Sequence, residues 1–288
     1  MDPGTEGSTS WSRSGLLGVR VCELLGMSSN LPARLSLSMG KLAAHGGPPT
    51  LIQDGWGVGY YEGADVRLIK DAANANDSEW IPFLRDHDLR SHIVIAHIRK
   101  ATMGERAYRN TQPFTRELAG RVHLFAHNGW LPGILDAPRS RSDRYSPVGE
   151  TDSEQAFCAL LQRMADIWQR PGDIPSIEAR LAIVSSFARE LRSLGPANFL
   201  YSDGDALFAH GDRRKQSQTA TVEPPGLVYL QRWCRKGEQD FAASGVFIEG
   251  ADQTLTIVAS VPLSDDSWQA LGEGEVMAFS EGRTLSAV

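Results

Sequence analysis

The chain has 288 residues, 41% of them hydrophobic and 22% charged, with a formal net charge of −6 from 29 Lys+Arg against 35 Asp+Glu. That length is enough to bury a sizeable core, and the usage is that of an ordinary globular protein. A mildly acidic chain without a basic run lacks the footprint of a nucleic-acid or membrane-surface binder, no apolar stretch approaches the roughly 18 residues that cross a bilayer, and Cys22, Cys158 and Cys234 lack the pairing of a disulfide scaffold and the spacing of a zinc module.

The first twenty residues are rich in Gly and Ser, and their Asp2, Glu6, Arg13 and Arg20 cancel in charge. Without a basic start or an apolar h-region they do not read as a secretory signal. A disordered leader over residues 1–21 is expected, followed by one domain over 22–288 and a cytoplasmic location. Val21–Met27 reads as a short buried strand. After Asn30-Leu31-Pro32, the apolar positions Leu35, Leu37, Met39 and Leu42 predict a helix that stops at Gly46-Gly47-Pro48-Pro49. Residues 55–63 predict a strand with close backbone approaches at Gly57 and Gly59, and 92–99 and 121–129 predict strands ending in polar residues. The stretch 102–117 between them is turn-rich.

Thr151-Asp152-Ser153-Glu154 matches a capping box, with Thr151 as N-cap and Glu154 reaching back. The helix it opens carries Phe157, Leu160, Leu161, Met164 and Trp168 at helical spacing. A second helix is expected over 176–194, and a hairpin across Asp203-Gly204 within 199–210. Further strands are expected in 227–233, 246–250, 254–263 and 275–286. The class is α+β, with layered sheets covered by helices.

Four segments carry chemistry: Val21-Cys22-Glu23-Leu24-Leu25-Gly26, His97-Ile98-Arg99-Lys100-Ala101-Thr102, His127-Asn128-Gly129 and Gly149-Glu150-Thr151-Asp152-Ser153-Glu154. Each has an ordinary structural reading. A lone cysteine is most often a small core residue, Asn-Gly is a hairpin turn signal, a strand-end arginine pairs with some acid, and an acid in the first helical turn favours the helix dipole. Their chemical reading is equally direct. A thiolate is a nucleophile, an amide side chain beside a glycine N–H can converge on an oxyanion, and a guanidinium with a carboxylate complements a zwitterionic amino-acid head.

In order, spacing and placement the four segments resemble the class II glutamine amidotransferases, N-terminal-nucleophile hydrolases whose mature chain begins with cysteine. The Cys-Glu-Leu-Leu-Gly opening, Ala96-His97-Ile98-Arg99 and the segment 260–275 are similar to the stand-alone type 4 group. The resemblance covers Cys22 to the C-terminus and implies a four-layer αββα sandwich of two mostly antiparallel sheets covered by helices. It implies Cys22 as nucleophile, Asn128 and Gly129 as the oxyanion hole, and Arg99, Thr102 and Asp152 as substrate-binding residues, with no metal or organic cofactor. The substrate it implies is glutamine or a γ-glutamyl small molecule, with ammonia passing to a separate synthase or simply released. Lys100 and Met103 depart from the Trp and His usual in synthase-fused members, and Met103 cannot donate a hydrogen bond.

An N-terminal amine, with an ordinary pKa near 8, can take the thiol proton, but as written Cys22 follows 21 residues. A cleaved propeptide, an over-long translation start and a non-catalytic binder compete as explanations. The second is preferred, because valine at 21 is what a GTG initiation codon looks like when an upstream start is assumed. The alternative function is an amino-acid-binding regulatory subunit or sensor. Trp56, Cys158 and the histidines His45, His97 and His127 are expected to be structural, the histidines as satisfied strand-end residues, and Cys234 sits in a polar stretch without a role.

Overall fold

A computed structural model provides the structure; it describes residues 22–37, 54–100, 103–136, 144–216, 219, 221–235, 246–249 and 252–288. The expected leader, His45, Thr102 and the stop at Gly46–Pro49 lie outside the described residues.

Alternating apolar positions build two antiparallel sheets. The larger has eight strands, in the order β14 (Gln269–Ala270), β11 (Val228–Cys234), β13 (Gln253–Ala259), β1 (Glu23–Leu37), β4 (Arg90–Arg99), β2 (Gly55–Glu62) and β3 (Asp65–Asp71), with β12 (Val246–Glu249) pairing the far half of β1. The smaller has six, in the order β16 (Arg283–Ala287), β15 (Val276–Ser280), β8 (Leu207–His210), β7 (Ala197–Ser202), β6 (Arg121–Gly129) and β5 (Phe114–Leu118). A short ribbon, β9 (Arg214–Lys215) with β10 (Val222–Glu223), stands apart.

Three apolar layers separate these elements. Leu24, Ile95, Leu124, Ala126, Leu200 and Leu207 pack between the sheets. The other face of the six-stranded sheet, including Phe125 and Phe199, is covered by α2 (Asp152–Met164) and α3 (Ile177–Leu194) through Phe157, Leu160, Val184 and Phe187. The outer face of the eight-stranded sheet is buried by residues that include Leu84 of α1 (Trp80–Asp86). This is the expected αββα order, with one helical layer reduced among the described residues to a single short helix.

The helix expected from Leu35 onward is corrected over its described part: 30–37 continues β1. Leu35 and Leu37 are two apart as well as helically placed, and the pairs Ala33↔Ser91, Arg34↔Arg90 and Leu35↔Ile248 supply the backbone partners that settle the strand. Pro32 is tolerated because the β1–β4 register shifts between Ser28 and Ala33, leaving it at an irregularity. The hairpin across Asp203-Gly204 forms as expected. Asp203 Oδ1 accepts the N–H groups of Asp205 and Ala206, each at 3.0 Å, and Gly204 takes φ +83°. Cys234 proves to be buried in the outer core of the larger sheet, a correction to its polar sequence setting. Its strand pairs it with Gln253 at a position that faces inward.

Candidate functional site

The start of β1, the end of β4, the end of β6 and the start of α2 meet at one end of the sandwich. Antiparallel pairing of Glu23 with Ile98 sets Cys22 beside Arg99 and Lys100. The half-buried Cys22 Sγ accepts from the Lys100 N–H and donates to the Lys100 carbonyl, both at 3.2 Å. Burial pushes its thiol up to about 11, with the Glu23 carboxylate adding to the rise, against the pull of the Lys100 hydrogen bond and the Arg99 and Lys100 cations. The thiol is therefore protonated at neutral pH, and a reaction at sulfur needs a base.

Asn128 ends β6 and donates its Nδ2 proton to the Cys22 carbonyl at 2.6 Å. Behind it, Asn198 Nδ2 donates to the Asn128 carbonyl at 3.3 Å, while Asn198 Oδ1 accepts from the Asp212 N–H at 2.8 Å. Gly129 has to be glycine. A Cβ there would run into the Pro196 carbonyl and lie 2.6 Å from His127 Nε2.

Asp152 is buried in the first turn of α2, where Oδ2 accepts the Leu131 N–H at 2.8 Å and Oδ1 the Ser153 N–H at 2.8 Å. The segment just after Asn128-Gly129 is thus tied to the helix start. Thr151 caps α2 as expected, its Oγ1 accepting from the Glu154 N–H at 3.2 Å. Glu154 does reach back, but past Thr151. It accepts the N–H groups of Val148 at 3.1 Å and Gly149 at 2.6 Å, and pairs with Arg116 at 2.6 Å.

Arg99 is nearly buried and holds the loop that follows β4. Nη2 donates to the carbonyls of Met103 at 2.8 Å and Gly104 at 3.1 Å, and Nη1 to those of Glu105 at 3.2 Å and Asp54 at 3.3 Å. The expected free clamp is thus engaged by four carbonyls of its own chain. Met103 contributes its backbone oxygen to this cluster. Of the six expected site residues, Cys22, Arg99, Asn128, Gly129 and Asp152 gather here.

Three further features escaped the sequence reading. The Gln112 amide brackets the backbone of His127, Oε1 accepting its N–H at 2.6 Å and Nε2 donating to its carbonyl at 3.0 Å. It continues the ladder where β5 has ended, since Phe114 pairs with Phe125; the polar run before Pro113 is its only sequence signal. Next to Cys22 in the chain, Glu23 is buried 3.1 Å from Arg214, and burial raises its carboxyl against the pull of that guanidinium. His97 is a correction. Both ring nitrogens are buried without a partner among the described residues, and burial together with His127 and Arg99 pushes it down to about 3. His127 bonds Ser153 Oγ through Nδ1 at 2.9 Å. Among the described residues no group of three or more His, Cys, Asp or Glu could hold a metal ion, and no helix is long and apolar enough to cross a membrane.

The chain is similar to known proteins. The chain is 36% identical over 272 residues to YafJ of Escherichia coli, spanning 92% of this chain and 100% of that one. It superposes with a TM-score of 0.64 on the 2.0 Å crystal structure of a predicted glutamine amidotransferase from Pseudomonas aeruginosa, at 32% identity over 92% of this chain and 100% of that chain. Glutamine phosphoribosylpyrophosphate amidotransferase from B. subtilis shares the fold, with a TM-score of 0.55 at 16% identity over 93% of this chain and 49% of that chain. The family described as glutamine amidotransferases class-II matches residues 21–288, and the chain belongs to that family.

Proposed function

We propose that this chain, once it begins at Cys22, cleaves the γ-amide of glutamine or of a γ-glutamyl compound. The Cys22 thiol adds to the γ-carbonyl and passes its proton to the Cys22 α-amine. The oxyanion is stabilised by Asn128 Nδ2 and the Gly129 N–H. Collapse of the tetrahedral adduct expels the amine, which carries off that proton, and leaves a γ-glutamyl thioester. Water then adds to the thioester, releasing glutamate and the thiol. Asp152 receives the substrate α-ammonium, and Arg99, with Thr102, its α-carboxylate in exchange for loop carbonyls. Ammonia leaves for a separate synthase or for solvent.

The observation that carries this reading is the Asn128 Nδ2 to Cys22 carbonyl hydrogen bond, which sets an amide donor against the nucleophilic residue. The thiol's raised pKa supports a mechanism that supplies a base, and an α-amine has the appropriate ordinary value. The amide nitrogen that Cys22 has within the longer chain cannot take a proton, which favours a second reading, an amino-acid sensor using Arg99 and Asp152 alone.

The test is expression from Cys22, with glutamate release measured from glutamine and a panel of γ-glutamyl peptides. Release that disappears in Cys22→Ala, together with covalent labelling of Cys22 by diazo-oxo-norleucine, is expected. A folded chain that binds glutamate but releases none from any substrate would establish the sensor instead.

A further inference from the structure

Asp152, Ser153 and His127 form a buried hydrogen-bonded chain. Ser153 Oγ lies 3.3 Å from Asp152 Oδ1 and 2.9 Å from His127 Nδ1. All three residues are at most 6% exposed. A serine hydroxyl has one proton to give, and an ionised carboxylate can only accept. Directing that proton to Asp152 leaves Ser153 Oγ to accept from His127, which fixes the imidazole as the Nδ1–H tautomer. Burial pulls the His127 pKa down, against the attraction of Asp152, so the ring stays neutral. Its Nε2 has no partner among the described residues and backs directly onto Gly129, in the space a Cβ would claim. The His127 main chain cannot drift, because Gln112 brackets it on one side and Phe199 pairs it on the other.

We infer that His127, acting through Ser153, is a positioning residue that couples occupancy of Asp152 to the placement of the Asn128-Gly129 oxyanion donors. The inference rests on the reading of Cys22, Asn128, Gly129 and Asp152 given above. An α-ammonium drawn to Asp152 competes for the carboxylate oxygen, Oδ1, that Ser153 uses. Any resulting turn of the carboxylate is carried by the hydroxyl to the imidazole, and by the imidazole to the Gly129 peptide. Substrate recognition and transition-state stabilisation are thereby one hydrogen-bonded unit, and a substrate without the α-ammonium leaves the oxyanion donors unset. The specificity for α-amino substrates is expressed in kcat as well as in KM.

A substrate–variant cycle tests this in the chain beginning at Cys22, comparing glutamine with its analogue lacking the α-amine. In the wild type, removing the α-amine is expected to lower kcat tenfold or more. In Ser153→Ala and His127→Leu, kcat for glutamine is already reduced, and the kcat ratio between the two substrates shrinks below threefold. His127→Asn, whose amide stands where Nδ1 stands but which lacks the ring atoms that back onto Gly129, keeps Ser153 placed and still shows the shrunken ratio. A wild-type ratio confined to KM, or the same kcat ratio in every variant, overturns the coupling while leaving the catalytic reading intact.

Absence of turnover in the wild type is the separate failure of that catalytic reading. The relay is then read by calorimetry with glutamate, which Ser153→Ala and His127→Leu should bind tenfold more weakly and His127→Asn should not. Equal affinities, or no binding by the wild type, overturn it.

Discussion

Acid should unfold this protein unusually early, because three histidines are sealed in its layers. His97, His123 and His210 are each 0% exposed. Burial lowers His97 to about 3 and His123 and His210 to about 4. His123 Nδ1 meets the Tyr201 hydroxyl at 2.6 Å and His210 Nδ1 the Glu275 carbonyl at 3.1 Å, but in all three Nε2 has no partner among the described residues. In the unfolded chain each returns to about 6.5. Between pH 6.5 and 4 the unfolded state therefore binds protons that the native state refuses, and stability falls as pH falls through that window; above about pH 7.5 the effect vanishes. At pH 5 the cost is about 2 kcal/mol per histidine, from RT ln(1 + 10^1.5) with the native rings still neutral. The sum, about 6 kcal/mol, is a large part of the 5–15 kcal/mol typical of a folded chain. Guanidinium unfolding followed by tryptophan fluorescence at pH 7.5, 6 and 5 measures it, and the slope near pH 5 should approach at least about three protons, to which the buried His127 adds. His97→Leu should remove about one proton from that slope and also two unpartnered buried polar atoms. A stability that is level from pH 7.5 to 5, or a slope unchanged in His97→Leu, would refute the assignment.

Three substitutions probe other parts of the same architecture. Asn128→Ala should lower kcat by about 10²–10³, the usual cost of one oxyanion donor, with the thiol still labelled by a glutamine-analogue electrophile, though more slowly. Gly129→Ala forces a methyl group against the Pro196 carbonyl and the His127 ring; it should cost about 1–3 kcal/mol by overpacking, read as a lowered denaturation midpoint, and depress kcat through the displaced oxyanion loop. Arg180→Met strands the buried Asp203 carboxylate, now 2.9 Å from Arg180 Nη1, and should cost about 3–5 kcal/mol. Adding Asp203→Asn should recover part of that loss in the same unfolding assay, and no recovery would mean that the charge is not the cause.

Local chemistry was legible along the chain wherever neighbouring residues settle the backbone. Strand β6 runs from Arg121 to Gly129 as expected, Thr151 caps α2, and Asp203-Gly204 turns the hairpin. Each depends on side chains within a few residues of the backbone they serve. The residue types of the candidate site were legible for the same reason. A thiol, a guanidinium, an amide with a glycine, and a carboxylate at a helix start keep their chemistry whatever the fold.

What could not be read locally are the matters decided by distant partners. Residues 30–37 are a strand because β4 and β12 offer hydrogen bonds, although their spacing also suits a helix. Arg99 holds the carbonyls of Asp54, Met103, Gly104 and Glu105 because β4 ends where two loops meet. Gln112 brackets His127 because β5 pairs β6 only as far as Phe125, two residues short of His127. His97 is left without partners among the described residues because inter-sheet packing removed water from a polar ring. Leu24 N–H finds Ser260 Oγ across 236 residues of sequence, and Asn128 finds Cys22 across 106. Propensity and periodicity act over one or two turns of chain. Register, desolvation and the meeting of four segments at one sheet end arise only when the whole chain closes on itself.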